Sequence, residues 1–122
     1  MREEVRKMGD SGRLIAIGDI HGCLPALETV LAAITPEPQD TLVLLGDYVD
    51  RGPQSREVIE RVLALKQQCR AVPLLGNHDE MMLQVCTGQR QRYIEWLLFG
   101  GSATLQSYQT EQPEDVPAGV QF

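Results

Sequence analysis

Three short clusters of polar residues, each starting at a glycine, carry the side chains with which this sequence could do chemistry. They are Gly18-Asp19-Ile20-His21-Gly22, Gly46-Asp47-Tyr48-Val49-Asp50-Arg51-Gly52 and Gly76-Asn77-His78-Asp79. Carboxylate oxygens and imidazole nitrogens bind divalent transition metals, and both histidines of the chain lie in these clusters. Asp19 and His21 stand two residues apart, so at a strand end they can point to the same side. The clusters together predict a metal site.

The residue types also indicate what such a site would do. A carboxylate such as Asp47 can bridge two cations, and two metals about 3.5–4 Å apart can clamp a phosphate and turn a shared water into hydroxide near neutral pH. Each cluster alone is a weak indication, because a Gly-Asp pair after a strand is usually a turn or a helix cap. A lone histidine is likewise more often structural than a ligand. The combined prediction depends on the three clusters meeting in space.

The segments before the clusters predict how they meet. Continuous apolar runs end at each cluster's first glycine, which suits strands buried on both faces of a parallel sheet; they cover 13–18, 41–46 and 71–76. Pro73 cannot donate to a ladder and therefore favours an edge position for the third run. In an open α/β sheet, ligands bind beyond the carboxyl ends of the strands. All three clusters would then share one edge.

Helical patterns separate the runs. Apolar residues at three- and four-residue spacing predict a first helix, with Leu24, Leu27, Leu31 and Ile34 on one side, and a second helix over 54–68. Alternating strands and helices predict an α/β fold, with a partly parallel sheet and flanking helices. Further helices are predicted near 79–87, 90–99 and 101–108. Trp96, Leu97, Leu98 and Phe99 are interpreted as core, and Gly100-Gly101 as a helix stop.

Composition and boundaries narrow the class of protein. Residues 1–12 are interpreted as a solvated N-terminal arm, 13–108 as the folded region, and 109–122 as a polar tail, loop or disordered segment. No apolar run is long enough for a membrane helix and no secretory signal is visible. Three widely spaced cysteines indicate reduced thiols in the cytoplasm. A net charge of −6 argues against non-specific binding to nucleic acid.

The clusters resemble a known family signature. GDxHG, GDxxDRG and GNH followed by an acid match the calcineurin-like metallophosphoesterases, and within them the phosphoprotein (serine/threonine) phosphatases, without a substitution. A later stretch, Trp96 through Gly100-Gly101, Thr104-Leu105 and Tyr108, is similar to a W…GG..TL.SY segment of bacterial members. The resemblance implies the N-terminal half of a metallophosphoesterase α/β sandwich.

The resemblance also implies metal ligands. Asp19 and His21 would bind a first divalent ion, Asp47 would bridge both, and Asn77 would bind the second. Manganese is expected by family likeness, with iron and zinc left open. Relatives continue into a second sheet that supplies two more histidines to the second metal. This chain has no third histidine, so its second site is expected to be incomplete and the chain to be truncated.

Catalytic roles follow from the same likeness. Arg51 and Asn77 would contact the substrate phosphate, where a guanidinium fork suits its oxygens. His78 would protonate the leaving alkoxide, and Asp50 would orient its ring, because a paired carboxylate keeps an imidazole protonated nearer neutral pH. For Asp79, a site role and a cap of the following helix remain equally open.

Three functions remain in competition. A metal-dependent phosphatase acting on phosphoserine or phosphothreonine in proteins stands first. A symmetrical dinucleoside polyphosphate hydrolase stands second, because Asp50 and the segment from Trp96 to Tyr108 weigh against it. The third is a non-catalytic fragment that binds metal. One sheet without its family partner would leave an apolar face uncovered, which predicts a partner or an oligomer.

Overall fold

Three parallel strands and the helices between them form the framework of the protein. A computed structural model describes residues 2–7 and 12–117. The strands are β1 (Arg2–Lys7), β2 (Arg13–Gly18), β3 (Thr41–Leu44) and β4 (Arg70–Pro73). The helices are α1 (Leu24–Ile34), α2 (Ser55–Leu65), α3 (Asn77–Cys86), α4 (Tyr93–Trp96) and α5 (Ser102–Ser107). Helix α1 connects β2 to β3 and α2 connects β3 to β4.

The sheet order is β1-β2-β3-β4, with β2, β3 and β4 parallel. Ile17 pairs with Leu44, and Leu44 pairs with Pro73. Strand β4 lies at the edge of the sheet, as Pro73 predicts, because an edge strand tolerates a residue that has no N–H to donate. The predicted α/β fold with a partly parallel sheet is thus confirmed. The carboxyl ends of the three strands, each followed by a polar cluster, lie at one edge of the sheet.

Strand β1 differs from the predicted N-terminal arm. Residues Arg2–Lys7 pair antiparallel with β2, from Arg2 opposite Gly18 to Lys7 opposite Arg13. The segment has one apolar residue, Val5, and therefore shows no burial pattern from which a strand could be predicted. Strand β1 pairs through its backbone groups with the otherwise unpaired edge of β2. Its charged composition is typical of edge strands. The rest of the predicted arm, residues 1 and 8–11, lies outside the described part.

The core lies on one face of the sheet. Ile15, Ile17, Leu42 and Leu44 are completely buried and share a cluster with apolar side chains of α1 and α2. Burying an aliphatic side chain of this size stabilises a fold by about 1.5–3 kcal/mol. The predicted helical stripe is confirmed for Leu27, Leu31 and Ile34, which are buried, whereas Leu24 is only partly covered; Cys69 is buried as well.

The opposite face of the sheet is apolar and open. Ala16, Val43 and Val72 lie in register and are half-buried. Leu45 and Leu74 extend this row through backbone bonds to Ile17 and Leu44, and they are 51% and 46% exposed. This is the uncovered face expected from the sequence. That a partner or a second copy covers it stays a prediction.

The helices after α3 are shorter and more often interrupted than the sequence predicts. A 3-10 turn, Arg90–Arg92, precedes α4, and a π-helical turn, Leu97–Gly101, joins α4 to α5. Gly100 has a φ of 108° and bends the chain there, as the predicted helix stop requires. The predicted loose tail contains a 3-10 turn, Pro113–Asp115, with Pro113 buried; residues 118–122 lie outside the described part. Among the described helices, none has the length and apolar character needed to cross a membrane.

One nearly buried ion pair fixes the start of the sheet. The carboxylate of Asp40 is 2% exposed and accepts hydrogen bonds from the Arg13 backbone N at 2.9 Å, from Arg13 Nη2 at 2.7 Å and from the Glu37 backbone N at 2.9 Å. The hydrogen bond from the Arg13 guanidinium and those from the two N–H groups hold the pKa of Asp40 well below its usual range. The pair ties the first residue of β2 to the loop that enters β3.

Candidate active site

The backbone is strained where the first two polar clusters lie. Within residues 2–7 and 12–117, seven non-glycine residues have a positive φ. Five belong to these clusters: Asp19 at 58°, His21 at 47°, Asp47 at 57°, and Asp50 and Arg51 at 75° each. Each such residue costs about 1–3 kcal/mol, which the surrounding structure must offset. The strain is therefore concentrated in the two loops that carry the predicted metal ligands Asp19, His21 and Asp47.

The two strained loops are bonded to each other through their backbones. The N–H of His21 donates to the carbonyl of Asp47 at 2.9 Å, and the N–H of Gly22 donates to Tyr48 at 2.7 Å. The N–H of Gly52 returns a hydrogen bond to the carbonyl of His21 at 3.0 Å. The loops therefore form one rigid surface, although they are separated by a whole strand–helix unit in sequence.

Three predicted metal ligands meet on this surface. One ligand atom each from Asp19, His21 and Asp47 lies within 4.8 Å of the others. His21 Nδ1 lies 3.0 Å from the carbonyl oxygen of Val49. A carbonyl only accepts, so Nδ1 carries the proton and Nε2 keeps its lone pair for a ligand. Two carboxylates and one oriented imidazole fit a divalent metal ion.

The third cluster reaches the same place through the start of α3. The backbone N–H of His78, the second residue of α3, donates to Asp47 Oδ1 at 3.1 Å. Asn77 precedes it at the first position of the helix and is exposed. The side chain of Asp47 thus contacts the third cluster at His78, and Asn77 is the residue immediately before His78 in the chain.

Asp79 explains how the third cluster is held. Its carboxylate is 2% exposed and accepts backbone N–H groups from Asp47 at 2.6 Å, from Tyr48 at 3.0 Å and from Gly76 at 2.9 Å. Burial raises the pKa of Asp79 to about 6, while these three N–H groups oppose the rise. Asp79 is therefore a helix cap through Gly76, and it also braces the loop that carries Asp47.

His78 and Asp50 form a hydrogen-bonded pair. Asp50 Oδ2 lies 2.9 Å from His78 Nδ1; the aspartate is completely buried and the histidine side chain is 15% exposed. Burial raises the pKa of Asp50, and hydrogen bonds from Thr104, His78 and Trp96 oppose that rise. The His78 ring lies at 80° to the ring of His21, with 4.8 Å between centroids. The His78 imidazole, with Asp50 at its Nδ1, thus borders the group of predicted metal ligands.

Two residues that contact this pair were not identified as site residues from the sequence. Trp96 Nε1 donates to Asp50, 3.0 Å from both Oδ1 and Oδ2, and Thr104 Oγ1 donates to Oδ1 at 2.7 Å. Trp96 is fully buried, as predicted for a core residue. Its polar contact was missed because nothing in a local pattern connects it to an acid 46 positions earlier.

Arg51 is exposed at the outer side of the site. Its guanidinium makes no hydrogen bond or ion pair to any residue that the structure describes, and its backbone N–H donates to the carbonyl of Gly100 at 3.2 Å. The core interpretation of Leu98 and Phe99 is wrong: they are 81% and 49% exposed. The turn at Gly100 directs them outward, and the Phe99 ring lies 6.4 Å from that of His78.

Proteins similar to this chain agree on its class. A protein of Acidovorax ebreus (strain TPSY), named symmetrical bis(5'-nucleosyl)-tetraphosphatase, is 47% identical over 79 residues, which are 64% of this chain and 27% of the relative. A Yersinia pestis (strain Pestoides F) protein of the same name is 51% identical over 73 residues, 59% of this chain and 25% of the relative. The chain spans about a quarter of the length of these curated relatives.

Solved structures extend the likeness to the fold. The crystal structure of a candidate diadenosine tetraphosphatase superposes with a TM-score of 0.62 at 30% identity, covering 95% of this chain and 43% of that one. A cold-active protein tyrosine phosphatase superposes at 0.59 with 23% identity, covering 83% of this chain and 32% of that one, and shares the fold. The profile of the calcineurin-like phosphoesterases matches residues 12–116. The chain belongs to the calcineurin-like phosphoesterase family.

Proposed function

We propose that this chain carries the metal-binding and phosphate-binding part of a symmetrical dinucleoside polyphosphate hydrolase. The observation that carries the proposal is the convergence of Asp19, His21 and Asp47 within 4.8 Å of one another, bordered by the His78–Asp50 pair. The names of the curated relatives supply the substrate class. The sequence alone favoured a phosphoprotein as the substrate over a dinucleotide. The proposal reverses this preference and takes the dinucleotide as the favoured substrate.

The metal-binding role rests on donor chemistry. Asp19, His21 and Asp47 would hold a first divalent ion, and Asp47 with Asn77 would hold part of a second. When bound, such ions stabilise charge on a phosphate and supply a nucleophile at neutral pH. Manganese is the proposed ion, with iron and zinc as alternatives, because carboxylate, amide and imidazole donors suit all three. The protein's contribution is the rigid loop pair that orients His21 and Asp47.

The remaining groups act on the phosphate linkage that is cleaved, an anhydride in the dinucleotide and an ester in a phosphoprotein. Arg51 has an exposed guanidinium that would bind phosphate oxygens, with Asn77 as a second polar contact. His78 would give its proton to the departing oxygen, and Asp50 would keep the ring oriented and offset the charge on it. A leaving phosphate or alkoxide that is protonated as the bond breaks departs more readily, which is the usual worth of a general acid.

One experiment separates the proposed substrates. The 122-residue protein is incubated with Mn²⁺ and either diadenosine tetraphosphate or a phosphoserine peptide, and ADP and inorganic phosphate are measured. We expect kcat/KM at least about tenfold higher for the dinucleotide, with ADP as the product. A preference for the phosphopeptide would restore the protein phosphatase as the better interpretation, which the likeness of the segment Trp96 to Tyr108 favours.

The same protein tests whether the chain acts catalytically on its own. A Mn²⁺ titration by calorimetry, joined to turnover of p-nitrophenyl phosphate, gives the number of sites and the rate. Two tight sites with robust turnover support the hydrolase. One site or none, with negligible turnover, would favour the third interpretation, a metal-binding fragment without catalysis.

A further inference from the structure

We propose that Trp96 and Thr104 are positioning residues that hold the Asp50 carboxylate in one orientation, so that Asp50 in turn holds the ring of His78. The inference rests on the proposed function in one respect, namely that His78 delivers a proton to the leaving group. It assigns a role to the stretch from Trp96 to Thr104, which neither the metal ligands nor the phosphate contacts use.

The first argument is saturation of the carboxylate. Asp50 is completely buried, and its two oxygens accept from Thr104 Oγ1 at 2.7 Å, from Trp96 Nε1 at 3.0 Å to each oxygen and from His78 Nδ1 at 2.9 Å. Trp96 and Thr104 are themselves fully buried. Rotation of the carboxylate would leave several buried donors without a partner, each costing about 1–3 kcal/mol. The two donors from the C-terminal helices therefore allow a single position for Oδ2.

The second argument concerns the direction of the hydrogen bonds. The Asp50 backbone N–H donates to Thr104 Oγ1 at 2.9 Å, so this hydroxyl directs its own proton at Asp50 Oδ1. Ser55 Oγ lies 3.1 Å from Thr104 Oγ1 and can donate to it. An ionised carboxylate only accepts, so the proton between Asp50 and His78 lies on His78 Nδ1. The network thereby fixes one ring orientation, with Nδ1–H bound to Asp50, and the proton that His78 delivers to a leaving group is the one that Nε2 carries when the ring is protonated on both nitrogens.

The third argument is the shape of the segment. Trp96 ends α4 and Thr104 lies in α5, on either side of the turn at Gly100. A Cβ on Gly101 would lie 2.4 Å from the indole of Trp96, so only glycine lets the ring lie against this backbone. The bend brings both donors to the same carboxylate, and the Gly100 carbonyl accepts the N–H of Arg51 at 3.2 Å. The spacing of tryptophan, paired glycines and threonine is what this arrangement requires.

The test compares variants that remove one donor and keep the shape. Trp96→Phe keeps an aromatic ring without the N–H, and Thr104→Val keeps the branched shape without the hydroxyl. Thr104→Ser restores the donor, and Leu105→Val perturbs the neighbouring core residue without touching Asp50. In each protein, NMR of ¹⁵N-labelled histidine reports the tautomer of His78 and the exchange of its Nδ1–H with water.

We expect the Nδ1–H tautomer in the wild type, and an exchange rate at least about tenfold higher in Trp96→Phe and Thr104→Val, because each variant loses one hydrogen bond to the buried Asp50 carboxylate. Thr104→Ser and Leu105→Val should match the wild type within about twofold. An unchanged His78 signal in both donor-removing variants overturns the inference. If either variant fails to fold, the wild type decides: rapid exchange of the Trp96 indole N–H or of His78 Nδ1–H overturns it, and slow exchange of both supports it.

Kinetics supply an independent readout. With Mn²⁺ present, kcat for phenyl phosphate should fall about tenfold in the donor-removing variants, while KM stays unchanged. The leaving group of p-nitrophenyl phosphate needs little protonation, so kcat for this ester should fall less than about threefold. Equal losses on both esters would overturn a role through His78. If the wild type turns over neither ester while the NMR differences appear, the proposed function fails and the positioning network stands.

Discussion

The backbone N–H of His78 donates a hydrogen bond to Oδ1 of Asp47, at 3.1 Å. This contact joins the candidate proton donor to the proposed metal ligand Asp47, which lies 31 residues earlier in the chain. Because the bond uses the backbone of His78, it survives substitution of the imidazole. Metal binding and proton delivery can therefore be tested with separate substitutions.

The first prediction concerns the metal ligands. Asp47→Asn removes a carboxylate that lies within 4.8 Å of the ligand atoms of Asp19 and His21, so we expect Mn²⁺ binding to weaken at least about tenfold, as carboxylates are the stronger ligands for this ion. Isothermal titration calorimetry measures the change. Asp115→Asn, an exposed acid remote from the ligand cluster, serves as the control. Equal affinity for the wild type and Asp47→Asn would exclude Asp47 as a ligand.

The second prediction concerns the groups that act on the ester. If the chain is active, His78→Asn and Arg51→Ala should each lower kcat/KM at least about 10²-fold, by the usual worth of a general acid and of a charge-stabilising contact. Mn²⁺ affinity should stay within about threefold of the wild type in both variants. Arg70→Ala, an exposed arginine at the start of β4, is the matched control. Ordinary turnover in either variant removes that residue's proposed role.

The third prediction concerns Asp79, which supports the loop of a proposed metal ligand without being proposed as a ligand itself. Asp79 braces the Asp47 loop through three backbone N–H groups. Asn has one acceptor oxygen in place of two, so Asp79→Asn should loosen the loop and weaken Mn²⁺ binding about 10–100-fold, as changes to the supports of metal ligands do. Calorimetry at several Mn²⁺ concentrations gives the affinity, and Glu80→Gln, the exposed neighbour, is the control. Unaltered affinity would show that the brace is dispensable.

The fourth prediction uses two glycines with nearly the same backbone. Gly88 and Gly100 have φ of 109° and 108°, but a Cβ on Gly88 meets nothing within 4 Å, whereas one on Gly100 would lie 2.7 Å from the backbone N of Arg51. Gly88→Ala should cost only the strain, about 1 kcal/mol in the free energy of unfolding. Gly100→Ala should cost about 2 kcal/mol more, because Arg51 must move. Urea unfolding measures both, and equal losses would mean that the close approach is not rigid.

The fifth prediction concerns pH. The native pKa of Asp40 lies well below its usual range, because Arg13 and two backbone N–H groups bind the ionised form. A lowered native pKa contributes stability that is fully present above the unfolded value of about 3.9 and is lost as pH falls through the native value. Urea unfolding should therefore show Asp40→Asn less stable than the wild type at pH 7, with a smaller gap at pH 3. Glu111→Gln, an exposed acid, should show no such change; a gap at pH 3 as large as the gap at pH 7 would contradict the ion-pair account.

Several elements of the fold could be predicted because their signals are local. Continuous apolar runs before Asp19, Asp47 and Asn77 predict buried strands, and helical spacing between them predicts the crossovers. Strand β1 could not be predicted, since its pairing is a backbone property with little side-chain pattern. The exposure of Leu98 and Phe99 was also missed, because composition favours burial and only the turn at Gly100 directs these side chains outward.

The sequence by itself determined which groups are available and that they follow the ends of neighbouring parallel strands: four carboxylates, two imidazoles, an amide and an arginine in ordered clusters. That information is local, since strand periodicity and residue type are read from adjacent positions. Only the tertiary structure decided how the groups are held. The brace from Asp79 to Asp47 and the hydrogen bonds from Trp96 and Thr104 to Asp50 span 32, 46 and 54 residues. Such contacts depend on the packing of helices against one another, which leaves no periodic trace in the chain.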